Sequence, residues 1–240
     1  ARGGAALSVR YITGLMNIGM ALAVNPASGE LGLVGTDARN QIRYEPNVRS
    51  DFVRVELARV NPAVGGSQQV VDLNSHLDYR QRSVPQSERN RSIGDPRALV
   101  YSSDGQRGWV AGLGSNNVLP IDASGARRGE PISVGQGPVA LALDEPRGRL
   151  YVWNHFEVSL SQVDSQRGVE TARVPVFNPL PAAIREGRPL LYDTHRTSGL
   201  GQASCASCHV DARMDRLAWD LGDPSAPLQR FDQNCVTTRG

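Results

Sequence analysis

Two of the three cysteines in this 240-residue chain stand three positions apart, and a histidine follows the second: Cys205-Ala206-Ser207-Cys208-His209. Thiols at that spacing can close on a structural metal, cycle as a redox dithiol, or anchor a haem. A structural zinc site needs four nitrogen or sulfur donors. Outside the motif the chain offers only Cys235 and three scattered histidines, His76, His155 and His195, with no second paired motif. A redox dithiol belongs at a helix start beside a βαβ unit, whereas the residues ahead of this motif alternate as antiparallel strands do. The C-x-x-C-H order is the pattern of covalent haem attachment. Residues three apart share a helix face, so both thiols can reach the vinyl groups along one porphyrin edge while the adjacent imidazole turns in to the iron. Ala206 and Ser207 are small enough to stay clear of the macrocycle. Of the three chemistries, haem c is the favoured cofactor, with Cys205 and Cys208 as attachment points and His209 as the iron ligand.

Such a motif needs a scaffold, and the preceding residues repeat. "ALAVNPASGELGLVGT" (21–36), "ALVYSSDGQRGWVAGL" (98–113) and "ALALDEPRGRLYVWNH" (140–155) each read as an apolar strand, a polar turn carrying Gly29, Gly105 or Gly148, and a second strand. The second and third copies start 42 residues apart, one propeller-blade length, and the first and second start 77 apart. That larger offset predicts one degenerate blade in the gap. Third strands ending in Asp122 and Asp164, and fourth strands at 130–134 and 169–176, complete four-stranded units of the kind that must stack on neighbours to bury their faces. Between the first two copies, 52–60 and 68–73 read as strands. The polar, Arg-rich stretch 78–96 reads as a long surface loop. The repeat breaks off near residue 178, after which Ile184, Leu190 and Leu191 fall at helical spacing. The expected organisation is therefore mainly β: propeller blades over 1–178, then the start of a small α-helical haem domain over 179–240.

Composition excludes some partners. Twenty-six basic residues, all arginine, oppose 24 acidic ones for a net charge of +2, too even for a nucleic-acid footprint. The longest apolar runs, such as 19–24 and 138–143, fall far short of the roughly 20 residues of a membrane helix, so no membrane span is expected. The opening at Ala1, with neither methionine nor signal peptide, suits a processed product or a segment of a longer chain.

"GRPLLYDTHRTSGLGQASCASCH" (187–209) resembles the first haem segment of the di-haem cytochrome c peroxidase superfamily, where a Ser-Gly-x-Gly turn precedes the haem motif. "GPVALALDEPRGRLYVWNHFEVSLSQVD" (137–164) is similar to YVTN-type β-propeller repeats, with Trp153-Asn154 where a small residue and Asn are usual. The whole arrangement resembles bacterial proteins that fuse such a propeller to a cytochrome domain. The resemblance implies thioethers at Cys205 and Cys208, His209 as the proximal ligand, and a distal Met or His further downstream than Gly240, so that the natural chain continues. Met214, five positions after His209, lies on the same side of the porphyrin and is expected to pack rather than ligate. His195 reads as a solvated loop residue. Arg213 and Arg216 are open to either haem propionates or water, Trp219 to core packing or a haem edge, and Cys235 to a disulfide partner beyond the chain. The stretch 220–224 reads as a plain turn, since it lacks the oxygen donors of a calcium loop.

The function expected from these readings is electron transfer by a covalently held haem, the propeller docking a redox partner protein. Two alternatives stand beside it: a peroxidase-like enzyme with an open distal site, and a binding module whose haem is structural. The resemblance further implies attachment outside the cytoplasm, in the periplasm or at the cell surface.

Overall fold

A computed structural model describes residues 9, 11–39, 51–63, 66–213, 219–220, 228–230 and 237–239. The alternating apolar stretches form three four-stranded antiparallel sheets. The first sheet is β1 (Ile18–Val24), β2 (Leu31–Ala38), β3 (Val53–Val60) and β4 (Gln68–Asp72). The second is β5 (Pro96–Tyr101), β6 (Arg107–Gly112), β7 (Asn117–Asp122) and β8 (Ile132–Ser133). The third is β9 (Pro138–Asp144), β10 (Arg149–Asn154), β11 (Ser159–Asp164) and β12 (Val169–Pro175). Within each sheet spatial order follows chain order. The first strands are neighbours, β5 lying between β1 and β9. This is the layout of a partial β-propeller, mainly β as expected.

Each first hairpin turns on the glycine singled out above. Gly29, Gly105 and Gly148 have φ of 71°, 66° and 59°, a left-handed backbone that glycine enters without a Cβ penalty. The expected degenerate blade is a different matter. The strands read at 52–60 and 68–73 are β3 and β4, which pair onto β2 and complete the first sheet. The wide offset between the first two copies is therefore one blade stretched by inserted connections, and no further sheet lies between them among the described residues.

Sheets that expose an apolar row on each face are stable only when stacked. Val34, Val55, Leu57, Tyr101, Val110, Leu119 and Ile121 fill the space between the first two sheets. Trp109, Val118, Ile132, Leu150, Val152 and Val163 fill the space between the second and third. A one-turn helix, α1 (Gln86–Arg89), precedes the second sheet, and after β12 the chain changes to helix, with α2 (Ala182–Tyr192), α3 (Thr194–Thr197) and α4 (Cys205–Cys208). Helix α2 sits on the third sheet through Phe156, whose ring meets Tyr192 edge-on at 4.8 Å and lies under the Arg188 guanidinium at 4.6 Å. Beyond residue 213 the described residues form three short strands, β13 (Trp219–Asp220), β14 (Leu228–Arg230) and β15 (Thr237–Arg239), in one small sheet. No helix among the described residues is long and apolar enough to cross a membrane.

Trp109 is 1 % exposed at the centre of the second interface. Trp109→Ala is expected to lower stability by about 3–5 kcal/mol, read as a fall in the urea midpoint.

Candidate functional site

The stretch 78–96, expected as a long surface loop, is irregular apart from α1 and mostly exposed over 80–90, but its end, 92–96, is buried and forms the seat of the cysteine motif. Val84 packs with Leu77 and Leu200, and Ser92, Ile93 and Asp95 are almost wholly buried. Ile93 joins the core between the first two sheets, which draws its backbone inside. A buried backbone must find hydrogen bonds, and three side chains from the sheets supply them. Asn74 accepts from Ile93 N–H at 2.8 Å and donates to Ile93 O at 2.8 Å. Asn117 donates to Ser92 O at 2.9 Å, and Ser115 Oγ accepts from Gly94 N–H at 3.0 Å.

The segment leading to the cysteines lies on this seat. Thr194, fully buried, donates its N–H to Gly114 O at 2.9 Å. A Cβ on Gly94 would come within 2.5 Å of the Thr194 side chain, so glycine is required there by contact rather than by torsion. His195 is not the solvated loop residue expected. It lies in α3, half-buried, with Nε2 2.9 Å from Ser92 O. A carbonyl can only accept, so Nε2 carries the proton, and burial lowers the pKa of the imidazole. Ser92 Oγ donates to Leu200 O at 2.7 Å, and Val84 N–H donates to Gly199 O at 2.9 Å.

Ala203 then packs with Val53, Ala38, Phe52 and Cys208, which sets α4 against the end of the first sheet. Helix α4 is a single turn. Ser207 Oγ accepts from Ser204 N–H at 3.0 Å, and His209 N–H donates to Cys205 O at 3.0 Å. Downstream, Asp211 adopts φ of 50° and its carboxylate takes the Arg97 guanidinium at 3.0 Å, while Arg97 also holds the buried Asp95 at 2.9 Å. The motif is thus tied to the blades on both sides. Between those ties Cys205 and His209 are exposed, and Cys208 is half-buried with its flank on Val53 and Phe52. The two thiols are not bridged.

The geometry therefore brings together all three residues singled out by the motif. Cys205, Cys208 and His209 follow one another on one helical turn and its cap, and among the described residues they do not converge with other donors on a single point as zinc ligands would. Cys205 and His209 are open to solvent, and Cys208 is flanked by apolar side chains. The donor set fits a covalently held haem. Arg213 is exposed. Met214, Arg216, residues 221–224 of the expected turn, and Cys235 lie outside the described residues, and Trp219 and Asp220 are described only as strand backbone. Sequence reasoning missed the Arg97–Asp211 tie and the polar seat. The one available signal was Ile93, an apolar residue isolated in a polar stretch.

No protein-family model matches the chain, and no curated protein matches it. Solved structures do. Hydrazine synthase of Kuenenia stuttgartiensis matches with 11 % identity and a TM-score of 0.49, covering 61 % of this chain and 45 % of that one. The RRP9 WD40 repeats match with 12 % identity and a TM-score of 0.47 over 70 % and 41 %. Streptogramin B lyase matches with 13 % identity and a TM-score of 0.41 over 69 % and 42 %. The chain spans less than half the length of each of these three.

Two outcomes are expected. Ser92→Ala removes the bond to Leu200 O and leaves a buried carbonyl unpaired, costing about 1–3 kcal/mol by chemical denaturation. His76, close to Ser92 and Glu88, has its pKa lowered to about 4 by burial and by Arg127 and Arg91. An unfolded imidazole takes up its proton near 6.5, so between about 6.5 and 4 the unfolded state binds more protons. Stability should fall as pH drops through that window, and His76→Asn should flatten the fall in urea midpoints.

Proposed function

We propose that this chain is a c-type haem protein for electron transfer, with haem joined by thioethers to Cys205 and Cys208 and its iron held on one side by His209. The observation that carries this reading is the helical turn itself: an exposed thiol and an exposed imidazole flank a half-buried thiol, on a segment fastened at Leu200 and at Asp211. When bound, haem supplies one-electron chemistry at iron, with a potential set by its axial ligands and by the polarity around it. The protein's own contribution is positional. Arg97 and Ser92 hold the backbone on either side of the attachment turn. Val53, Phe52 and Ala203 pack with Cys208 and would keep water from that side of a group attached there.

The reading extends to residues 179–240 as the opening part of a cytochrome domain, resembling the peroxidase superfamily in its approach to the motif. The blades then serve as scaffold and as docking surface for a redox partner protein. Since haem attachment of this kind takes place outside the bacterial cytoplasm, a periplasmic or cell-surface location belongs to the same proposal.

Co-expression with a c-type maturation system is expected to add one haem mass that survives denaturation, measured by intact-mass spectrometry. Cys205→Ala combined with Cys208→Ala should abolish it, and retention of that mass in the double variant would sink the assignment. His209→Ala should keep the covalent mass and shift the absorption spectrum of the reduced protein.

A further inference from the structure

At the end of the blades opposite the cysteine turn, a cleft of about 370 Å³ opens between the second and third sheets. Strand β6 connects the two ends. It starts at Arg107 in the cleft and runs to Gly112, close to the Gly114 contact with Thr194. The volume falls within the range of small-molecule sites. Pro120 and Pro131 form its accessible apolar walls, backed by buried Trp109, Ile121 and Ile132.

Three guanidiniums line this cleft, those of Arg107, Arg128 and Arg167. Several arginines elsewhere close on carboxylates, Arg54 on Asp51, Arg59 on Glu30, Arg147 on Asp144 and Arg173 on Glu170, while others, such as Arg89 and Arg127, donate to backbone carbonyls. The three in the cleft form no ion pair among the described residues, and the local turns supply the reason. Asp104 accepts from Ser102 Oγ and Gln106 N–H, Asp122 from Ser124 N–H and Oγ, and Asp164 from Gln166 and Arg167 N–H. Each nearby carboxylate is thus turned back on its own turn. The carboxylate that does line the cleft, Glu130, takes Arg91 at 2.9 Å. Arg107 lies over the Trp109 ring at 5.5 Å, which steadies one guanidinium in place.

We propose that this cleft binds a small organic polycarboxylate, its hydrocarbon body against Pro120 and Pro131 and its carboxylates taken by Arg107, Arg128 and Arg167. Planar guanidinium forks match carboxylates in pairs of hydrogen bonds. The apolar walls give a hydrocarbon body a contact that an inorganic anion cannot use. The site is independent of the haem reading, being built from different elements at the other end of the blades.

Isothermal titration of the full chain at low salt tests this, with trimesate (three carboxylates on one benzene ring), benzoate and inorganic phosphate as probes. Trimesate is expected to bind saturably, one per chain, at least about tenfold tighter than benzoate, and to weaken as salt is added. Arg128→Ala with Arg167→Ala should weaken trimesate by about tenfold or more. Arg185→Ala with Arg196→Ala removes the same charge from exposed helical positions and should leave binding unchanged. The proposal fails if trimesate gives no saturable heat, if both double variants lose affinity equally, or if phosphate binds as tightly as trimesate.

Discussion

The structure turns on a short stretch of connecting chain that is carried inside. Ile93 is drawn into the core between the first two sheets, and the backbone on either side of it loses contact with water. Leaving such groups unpaired would cost about 1–3 kcal/mol each. Asn74, just after β4, and Ser115 and Asn117, where β6 turns into β7, meet that demand from two different blades. These side chains can do so only when the two sheets are stacked in register. Core packing and polar satisfaction therefore enforce one another here.

The consequence reaches the cysteine motif. Ser92, held from the sheet side by Asn117, offers its remaining capacity outward: its carbonyl to His195 and its hydroxyl to Leu200. The residues that precede α4 inherit their position from the blades through those bonds, and Arg97 repeats the device after His209 by joining Asp211 to the start of the second sheet. A one-turn helix has almost no stability of its own, because nucleating a helix is unfavourable and α4 is too short to recover it by propagation. Its shape is imposed from outside, as the haem attachment proposed for it would require.

Different kinds of signal differed in how far they could be read. The hairpins were legible because period-two alternation and a glycine at each turn are local, and the positive φ at Gly29, Gly105 and Gly148 follows from that pattern alone. The blade count was misread because a repeat measured by sequence offset cannot separate a missing blade from an insertion inside one. The pairing of β3 onto β2 settles that. The stretch 78–96 is exposed over much of its length, but the burial of its end was not legible because its arginines, serines and prolines look solvated. Ile93, its one side chain in the core between the first two sheets, gains significance only when that core is present to receive it.

What the sequence determined by itself is chemistry of short range: the order Cys205, Cys208, His209, the turn glycines, and the strands that flank them. Each of these depends on neighbours within a few positions, where covalent geometry sets the distances. Only the tertiary structure decided that residues 92–95 are a buried seat rather than surface chain, that His195 faces a carbonyl rather than water, and that Arg107, Arg128 and Arg167 share one cleft. Those relations join residues tens of positions apart. They exist because sheets with apolar faces must stack, and stacking brings distant side chains to the same place.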